Sequence, residues 1–134
     1  MEEGLTMRER IAQELALLRR HYGEDVEYRE QGDWFLVPRY PTPELCQCLS
    51  TSVTFNLRPG YPGAEPYGFF APSELRFGGQ PYQAGSPPVA PPFPGQWTFF
   101  SWAPEGWFAT NDLSSGSNLW GWARSFIARL REGP

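Results

Sequence analysis

Prolines set the limits within which this chain can form helices and strands. The chain has 134 residues, and 15 of them are proline. Proline fixes φ and lacks a backbone N–H donor, so it breaks helix interiors and central strands. Pro59, Pro62 and Pro66 therefore end any strand that precedes them. The six prolines of residues 80–94 predict a long extended connection with polyproline character.

Residues 6–22 have the pattern of an amphipathic helix. Thr6 and Glu9 have the spacing of a capping box, and Gly23 supplies a C-terminal stop. His21, the chain's only histidine, falls in the last turn, where a solvated cation suits the helix dipole, and we interpret it in that way. The stripe predicted to face the core recurs at helical spacing: Ile11, Leu15, Leu18 and Tyr22.

Four short extended runs predict an antiparallel meander. Residues 26–29 and 34–37 flank a Glu-Gln-Gly-Asp turn and predict a hairpin. Residues 46–58 alternate between apolar and polar positions, and residues 67–71 supply a fourth strand. The alternation places five residues of the third strand on the core face: Leu49, Thr51, Val53, Phe55 and Leu57.

A second helix is predicted over residues 114–131. Three residues are candidates for its N-cap: Asn111, Asp112 and Ser114. Its apolar face is equally clear: Leu119, Trp122, Ala123, Phe126, Ile127 and Leu130. Together with a proline-rich loop at 80–95, these elements predict one α+β domain over residues 1–134. Its order is an N-terminal helix, a four-stranded antiparallel meander, the long loop and a C-terminal helix.

Charge and cysteine content restrict the partners and the compartment. A formal net charge of −4 and a pI near 5.0 argue against nucleic acid, which needs a basic surface. The acidic N-terminus and the Pro- and Gly-rich uncharged stretch 77–104 predict neither a secretory signal nor a membrane span. Cys46 and Cys48 face away from the core on strand parity, are badly placed for a disulfide, and are too few for zinc. We therefore expect a reduced, cytoplasmic protein without metal or cofactor.

Common catalytic signatures are missing from the chain. All eleven basic residues are arginine, so a phosphate loop with its lysine is excluded. A Ser-His-Asp triad has only His21 to draw on. Cys46 and Cys48, at the start of a strand, are interpreted as inert thiols rather than nucleophiles.

Residues 53–70, VTFNLRPGYPGAEPYGFF, carry a resemblance to the ubiquitin-conjugating enzyme family. In that family the third strand runs into a proline-bounded Tyr-Pro turn, and a further proline precedes an aromatic fourth strand. Pro59, Tyr61, Pro62 and Pro66 match these places, although Glu65 replaces the first proline of the family's Pro-Pro pair. The order of helices and strands is also similar to that family's.

The chain more narrowly resembles the divergent bacterial members called prokaryotic ubiquitin-conjugating family E. Their Trp-x-x-Trp-Ser-x-His pattern, then Trp and Asp-x-Leu, aligns with a tryptophan-rich segment here: Trp97, Phe100, Ser101, Ala103, Trp107, Asp112 and Leu113. The likeness covers roughly residues 25–131. Ala103 stands where the family has histidine, and neither His-Pro-Asn nor cysteine follows residue 48. The usual thioester route is therefore not available.

The resemblance implies a carrier or conjugating component of a bacterial ubiquitin-like modification pathway. It would be a transferase that accepts the modifier's C-terminus from an activating enzyme, as an oxyester on Ser101. Asp112 is then the expected base and Asn111 an expected oxyanion donor. The implied partners are the activating enzyme, the ubiquitin-like modifier and a deconjugating peptidase. Four aromatic residues are expected to contact the modifier or a partner: Tyr61, Trp97, Trp102 and Trp107.

Two other interpretations stay open at the level of sequence. The domain is either an inactive scaffold that binds the activating enzyme or modifier, or a small aromatic-lined ligand-binding domain. Ser101 then belongs to a turn, Asp112 caps a helix, and the tryptophans pack. The absence of lysine fits a carrier that would otherwise acylate its own amines, but a GC-rich genome is the favoured explanation for it.

Overall fold

Helix α1, Met7–Tyr22, begins where the sequence places a capping box. In this computed structural model, which describes residues 6–82 and 89–133, the Thr6 hydroxyl accepts from the Glu9 N–H at 3.1 Å. The Glu9 carboxylate accepts from the Thr6 N–H at 3.1 Å, and Gly23 ends the helix. The prediction for this helix is confirmed. None of the helices within the described residues has the length and apolar character to cross a membrane.

An antiparallel sheet of five strands follows the helix, one strand more than the sequence predicts. The strands that the sequence predicts are present with shifted ends: β1 Glu27–Arg29, β2 Trp34–Pro41, β3 Ser50–Asn56 and β4 Phe69–Pro72. The small hairpin of β5, Arg76–Phe77, and β6, Gln80–Pro81, leads into the proline-rich loop. The additional strand β7, Trp97–Phe100, pairs with β4 and completes the order β1-β2-β3-β4-β7. Residues 83–88 of the predicted loop lie outside the described residues.

The C-terminal helix differs from the prediction in its start and in its continuity. It forms as two short helices, α2 Leu119–Ala123 and α3 Phe126–Glu132. Its N-cap is Asn118, whose Oδ1 accepts from the Gly121 N–H at 2.8 Å. The three predicted caps are wrong because residues 110–117 form turns: the Asp112 carboxylate, for example, accepts from the Ser114 N–H and hydroxyl at 2.9 and 2.7 Å.

Both faces of the sheet are covered. On the first face Phe69 stacks on Phe126 of α3 with ring centroids 4.1 Å apart. On the second face Phe93, from the proline-rich loop, packs with Trp34 and Phe70. Thr54, predicted to be solvent-facing, is fully buried because of this second layer.

Strand parity is wrong at the N-terminal end of the third predicted strand. Cys46 is buried in the core, whereas Leu49 is 94% exposed. A 3-10 turn, Glu44–Cys46, is followed by Gln47 in the left-handed conformation, with φ of 56°, so regular alternation starts only at Ser50. Burial is the main cause that raises the pKa of the Cys46 thiol to about 11, which makes it a poor nucleophile. Cys48 is exposed.

A buried ionic cluster of Arg10, Glu14 and Tyr61 joins α1 to the rest of the chain. The Glu14 carboxylate is fully buried, and it accepts from Arg10 Nε at 3.2 Å, from the Leu119 N–H at 2.9 Å and from the Tyr61 hydroxyl. Burial raises the pKa of Glu14, although the bonds from Tyr61 and Leu119 and the charge of Arg10 act in the opposite direction.

Arg10 extends the cluster to the turns that precede α2. Its two Nη atoms donate to the carbonyls of Thr110, at 2.6 Å, and Ser117, at 3.0 Å. The guanidinium also lies over the Tyr61 ring, 5.5 Å from its centroid. The cluster therefore holds α1, the Tyr-Pro turn and the start of α2 in one arrangement.

We expect Glu14→Ala to lower the free energy of unfolding by about 3–5 kcal/mol, because it leaves the Arg10 charge, a tyrosine hydroxyl and a backbone N–H buried without their acceptor. Urea denaturation followed by circular dichroism measures this change. Glu24→Ala, in the exposed turn after α1, is the control and should change stability by less than about 0.5 kcal/mol. Equal effects of the two substitutions would contradict the role of the cluster.

The raised pKa of Glu14 gives a prediction for pH. Between the unfolded value near 4.5 and the higher folded value, the folded protein binds more protons than the unfolded chain. The part of the stability that depends on a proton bound to Glu14 is thus fully present below about pH 4.5 and is lost as pH rises through the folded pKa. We expect the stability advantage of the wild type over Glu14→Gln to fall as pH rises from about 4.5. Urea midpoints across this range test it, and an advantage that grows with pH would refute it.

Candidate functional site

A groove lies between the chain that follows β7 and the helices α2 and α3. Its volume is about 840 Å³, within the range of ligand-binding sites. Trp102 and Trp107 line it from the loop side. The helix side includes Trp122 and three small residues at helical spacing: Gly121, Ser125 and Ala128. We call this concavity the tryptophan groove.

Hydrogen bonds fix both loop tryptophans in place. Trp102 Nε1 donates to Ser125 Oγ at 2.8 Å, and that hydroxyl donates to the Trp122 carbonyl at 2.6 Å. Trp107 Nε1 donates to the Pro62 carbonyl at 2.8 Å, and its ring lies 5.8 Å from that of Tyr61. The walls of the groove are therefore set before any ligand arrives, which reduces the entropy cost of binding.

Ser101 is exposed in the tryptophan groove, directly after the last residue of β7. The neighbouring carbonyl of Trp102 accepts from the Gly68 N–H at 2.8 Å, so the chain at this point stays anchored to the β4 side of the sheet. None of the described residues makes a hydrogen bond with the Ser101 hydroxyl. Within the described part of the chain, the Ser101 hydroxyl is therefore accessible to a ligand in the groove.

Asp112 and Asn111 do not line the same groove as Ser101. Asp112 lines a second concavity of about 540 Å³, beside Arg20 and His21 of α1. The hydrogen bonds from the Ser114 hydroxyl and N–H lower the pKa of Asp112, which makes it a weaker base. Asn111 is exposed and lines neither concavity.

The remaining two predicted contact residues, Trp97 and Tyr61, also lie outside the tryptophan groove. Trp97 lines a third concavity of about 560 Å³, with Ser73 and Gln96, and donates through Nε1 to the Phe93 carbonyl at 3.2 Å. Tyr61 is only 5% exposed and belongs to the buried cluster with Glu14. Of the seven predicted site residues, the structure thus brings together Ser101, Trp102 and Trp107 in one groove.

Sequence reasoning missed two features of the tryptophan groove. Gly121, Ser125 and Ala128 have the i, i+4, i+7 spacing of one helix stripe, and this signal was available in the sequence. Glu105, the one charged residue among the described residues that line the groove, carries no local sequence signal. Within the same described part of the chain, no three His, Cys, Asp or Glu side chains gather to hold a metal ion.

The chain matches no protein-family model, no curated protein and no solved structure.

Ser125 is predicted to hold the Trp102 wall in place. Ser125→Ala removes the acceptor of the Trp102 indole N–H, so we expect a loss of about 1 kcal/mol of stability and an upfield shift of that indole proton. Two-dimensional NMR of indole N–H groups, with urea denaturation, measures both. Ser50→Ala, on an exposed strand end, is the control. An unchanged Trp102 signal would contradict the bond.

Proposed function

We propose that this protein is a carrier in a bacterial ubiquitin-like modification pathway, and that Ser101 accepts the modifier's carboxyl terminus as an oxyester. The observation that carries the proposal is the position of Ser101, an exposed hydroxyl in a groove large enough for an extended peptide. The resemblance of residues 53–70 to the ubiquitin-conjugating enzyme family supplies the pathway. The order of helix, antiparallel sheet and C-terminal helices is compatible with that resemblance.

The acyl transfer requires an activated donor, because a serine hydroxyl is a weak nucleophile. The donor in this proposal is the modifier's C-terminus, held as a thioester on the activating enzyme. Ser101 Oγ attacks the thioester carbonyl, a C–O bond forms and the C–S bond breaks. The hydroxyl proton ends on the departing thiolate. Trp102 and Trp107 line the groove in which the ester would lie and would cover part of it.

Asp112, the expected base, and Asn111, an expected oxyanion donor, do not line the groove that contains Ser101. Asp112 holds the Ser114 turn and lines another concavity, so the proposal no longer uses it as the base. The same observation favours a second candidate function, an inactive scaffold that binds the modifier or the activating enzyme without accepting the acyl group. The two candidates share the tryptophan groove and differ only in whether a covalent bond forms at Ser101.

Reconstitution with ATP, the activating enzyme and the ubiquitin-like modifier of the pathway separates these candidates. We expect a one-to-one adduct that survives thiol reductant and breaks in mild hydroxide, as an oxyester does. Ser101→Ala should abolish it, whereas Asp112→Asn should reduce its rate by less than about twofold. Intact-mass spectrometry measures the adduct.

Cysteine variants provide the control for this experiment. Cys46→Ser and Cys48→Ser should keep the adduct, and loss in either variant would move the chemistry to that thiol. An adduct that persists in Ser101→Ala would contradict the assignment of Ser101. A stable complex without any adduct would favour the scaffold.

A further inference from the structure

The charge of the tryptophan groove comes from one exposed carboxylate. Glu105 is the only charged residue among the described residues that line the groove. Its side chain takes part in no salt bridge or hydrogen bond with any other described residue. A ligand therefore meets an unpaired negative charge at this point.

Aromatic residues line the groove together with that carboxylate. Trp102, Trp107 and Tyr67 line the same concavity as Glu105. Tyr67 is 44% exposed, so part of its ring is open to solvent. A groove that combines one carboxylate with aromatic rings is complementary to an arginine or lysine side chain, whose stem packs on apolar rings while its charge meets the carboxylate. The same groups disfavour an acidic segment.

The helix side of the groove leaves room for the main chain of a bound peptide. A Cβ added to Gly121 would meet only Asn118 Oδ1, at the ordinary contact distance of 3.4 Å, so packing within the protein does not require glycine there. Glycine is also a poor helix former. Ser125 and Ala128 continue the same line of small side chains. The free space above Gly121 belongs to the groove.

We propose that the tryptophan groove binds an extended basic peptide segment, with an arginine or lysine against Glu105 and its main chain along Gly121 towards Ser101. The inference rests on the proposed function in that the segment is the C-terminal one of the modifier. Binding itself needs neither the activating enzyme nor ATP. The two proposals can therefore fail separately.

Short fluorescent peptides test the charge preference directly. Three peptides share the frame Ala-Gly-X-Gly-Gly, with X as arginine, glutamine or glutamate, and fluorescence anisotropy measures their affinity. We expect the arginine peptide to bind about tenfold more tightly than the glutamate peptide at low salt, and the difference to shrink as salt increases. Equal affinities, or no detectable binding of any peptide by the wild-type protein, would overturn the inference.

Variants of the groove separate specific binding from general attraction. Glu105→Gln should remove the preference for arginine, and Glu105→Arg should invert it. Glu74→Arg, at an exposed position in a different concavity, is the matched control and should keep the wild-type order. Gly121→Leu should lower the affinity for all three peptides, because the leucine side chain would occupy the space that the peptide main chain needs. A preference that survives in Glu105→Gln would also overturn the inference.

Comparison with the reconstituted reaction distinguishes the two proposals. A charge preference that depends on Glu105, without any adduct on Ser101, would support the binding inference and contradict the oxyester. An adduct on Ser101 that forms at the same rate in the wild type and in Glu105→Arg would support the oxyester and contradict the inference.

Discussion

The hydrogen bonds and ion pair of the buried Glu14 carboxylate are the interaction on which the rest of the structure depends. A charged group in a protein interior is costly unless hydrogen bonds and an opposite charge compensate for it. Here the compensating groups come from α1, the Tyr-Pro turn and the N-terminus of α2. The Pro62 carbonyl in the Tyr-Pro turn also accepts a hydrogen bond from the indole N–H of Trp107. One wall of the tryptophan groove, Trp107, is thus attached to the same turn that supplies a hydrogen bond to the Glu14 carboxylate.

Strand β7 determines where Ser101 lies. Because β7 pairs with β4 at the end of the sheet, the chain that leaves it passes in front of α2 and α3, which pack on the sheet's first face. The small side chains of the helices leave a space at this point, and the tryptophans of the loop enclose it. A similar loop on a central strand would have neighbours on both sides and less room for a ligand.

Local signals made parts of this fold predictable, whereas long-range contacts decided the parts that were not. Helix α1 carries its own cap, so its start was evident. Helix α2 also has a local cap, Asn118, but earlier Asn, Asp and Ser residues carry the same signal, and the contact of the Leu119 N–H with Glu14, far away in the sequence, accompanies the later start. The 3-10 turn at Glu44–Cys46 and the left-handed residue Gln47 break the alternation that was predicted to extend from β3 back to residue 46. The same reason applies to the site: Ser101 and its adjacent tryptophans are neighbours in the chain, but the separation from Asp112 depends on turns that side chains hold together.

The indole bonds of Trp102 and Trp107 have a consequence for selectivity. Both indole N–H groups donate within the protein, so these two tryptophans offer a ligand in the groove an aromatic surface without a free donor. A π face accepts many chemical groups and discriminates by thickness and charge rather than by the pattern of donors and acceptors. For the proposed basic peptide ligand, this predicts that the groove tolerates many sequences that share one cationic position, so a family of related tails would suit it better than a single motif.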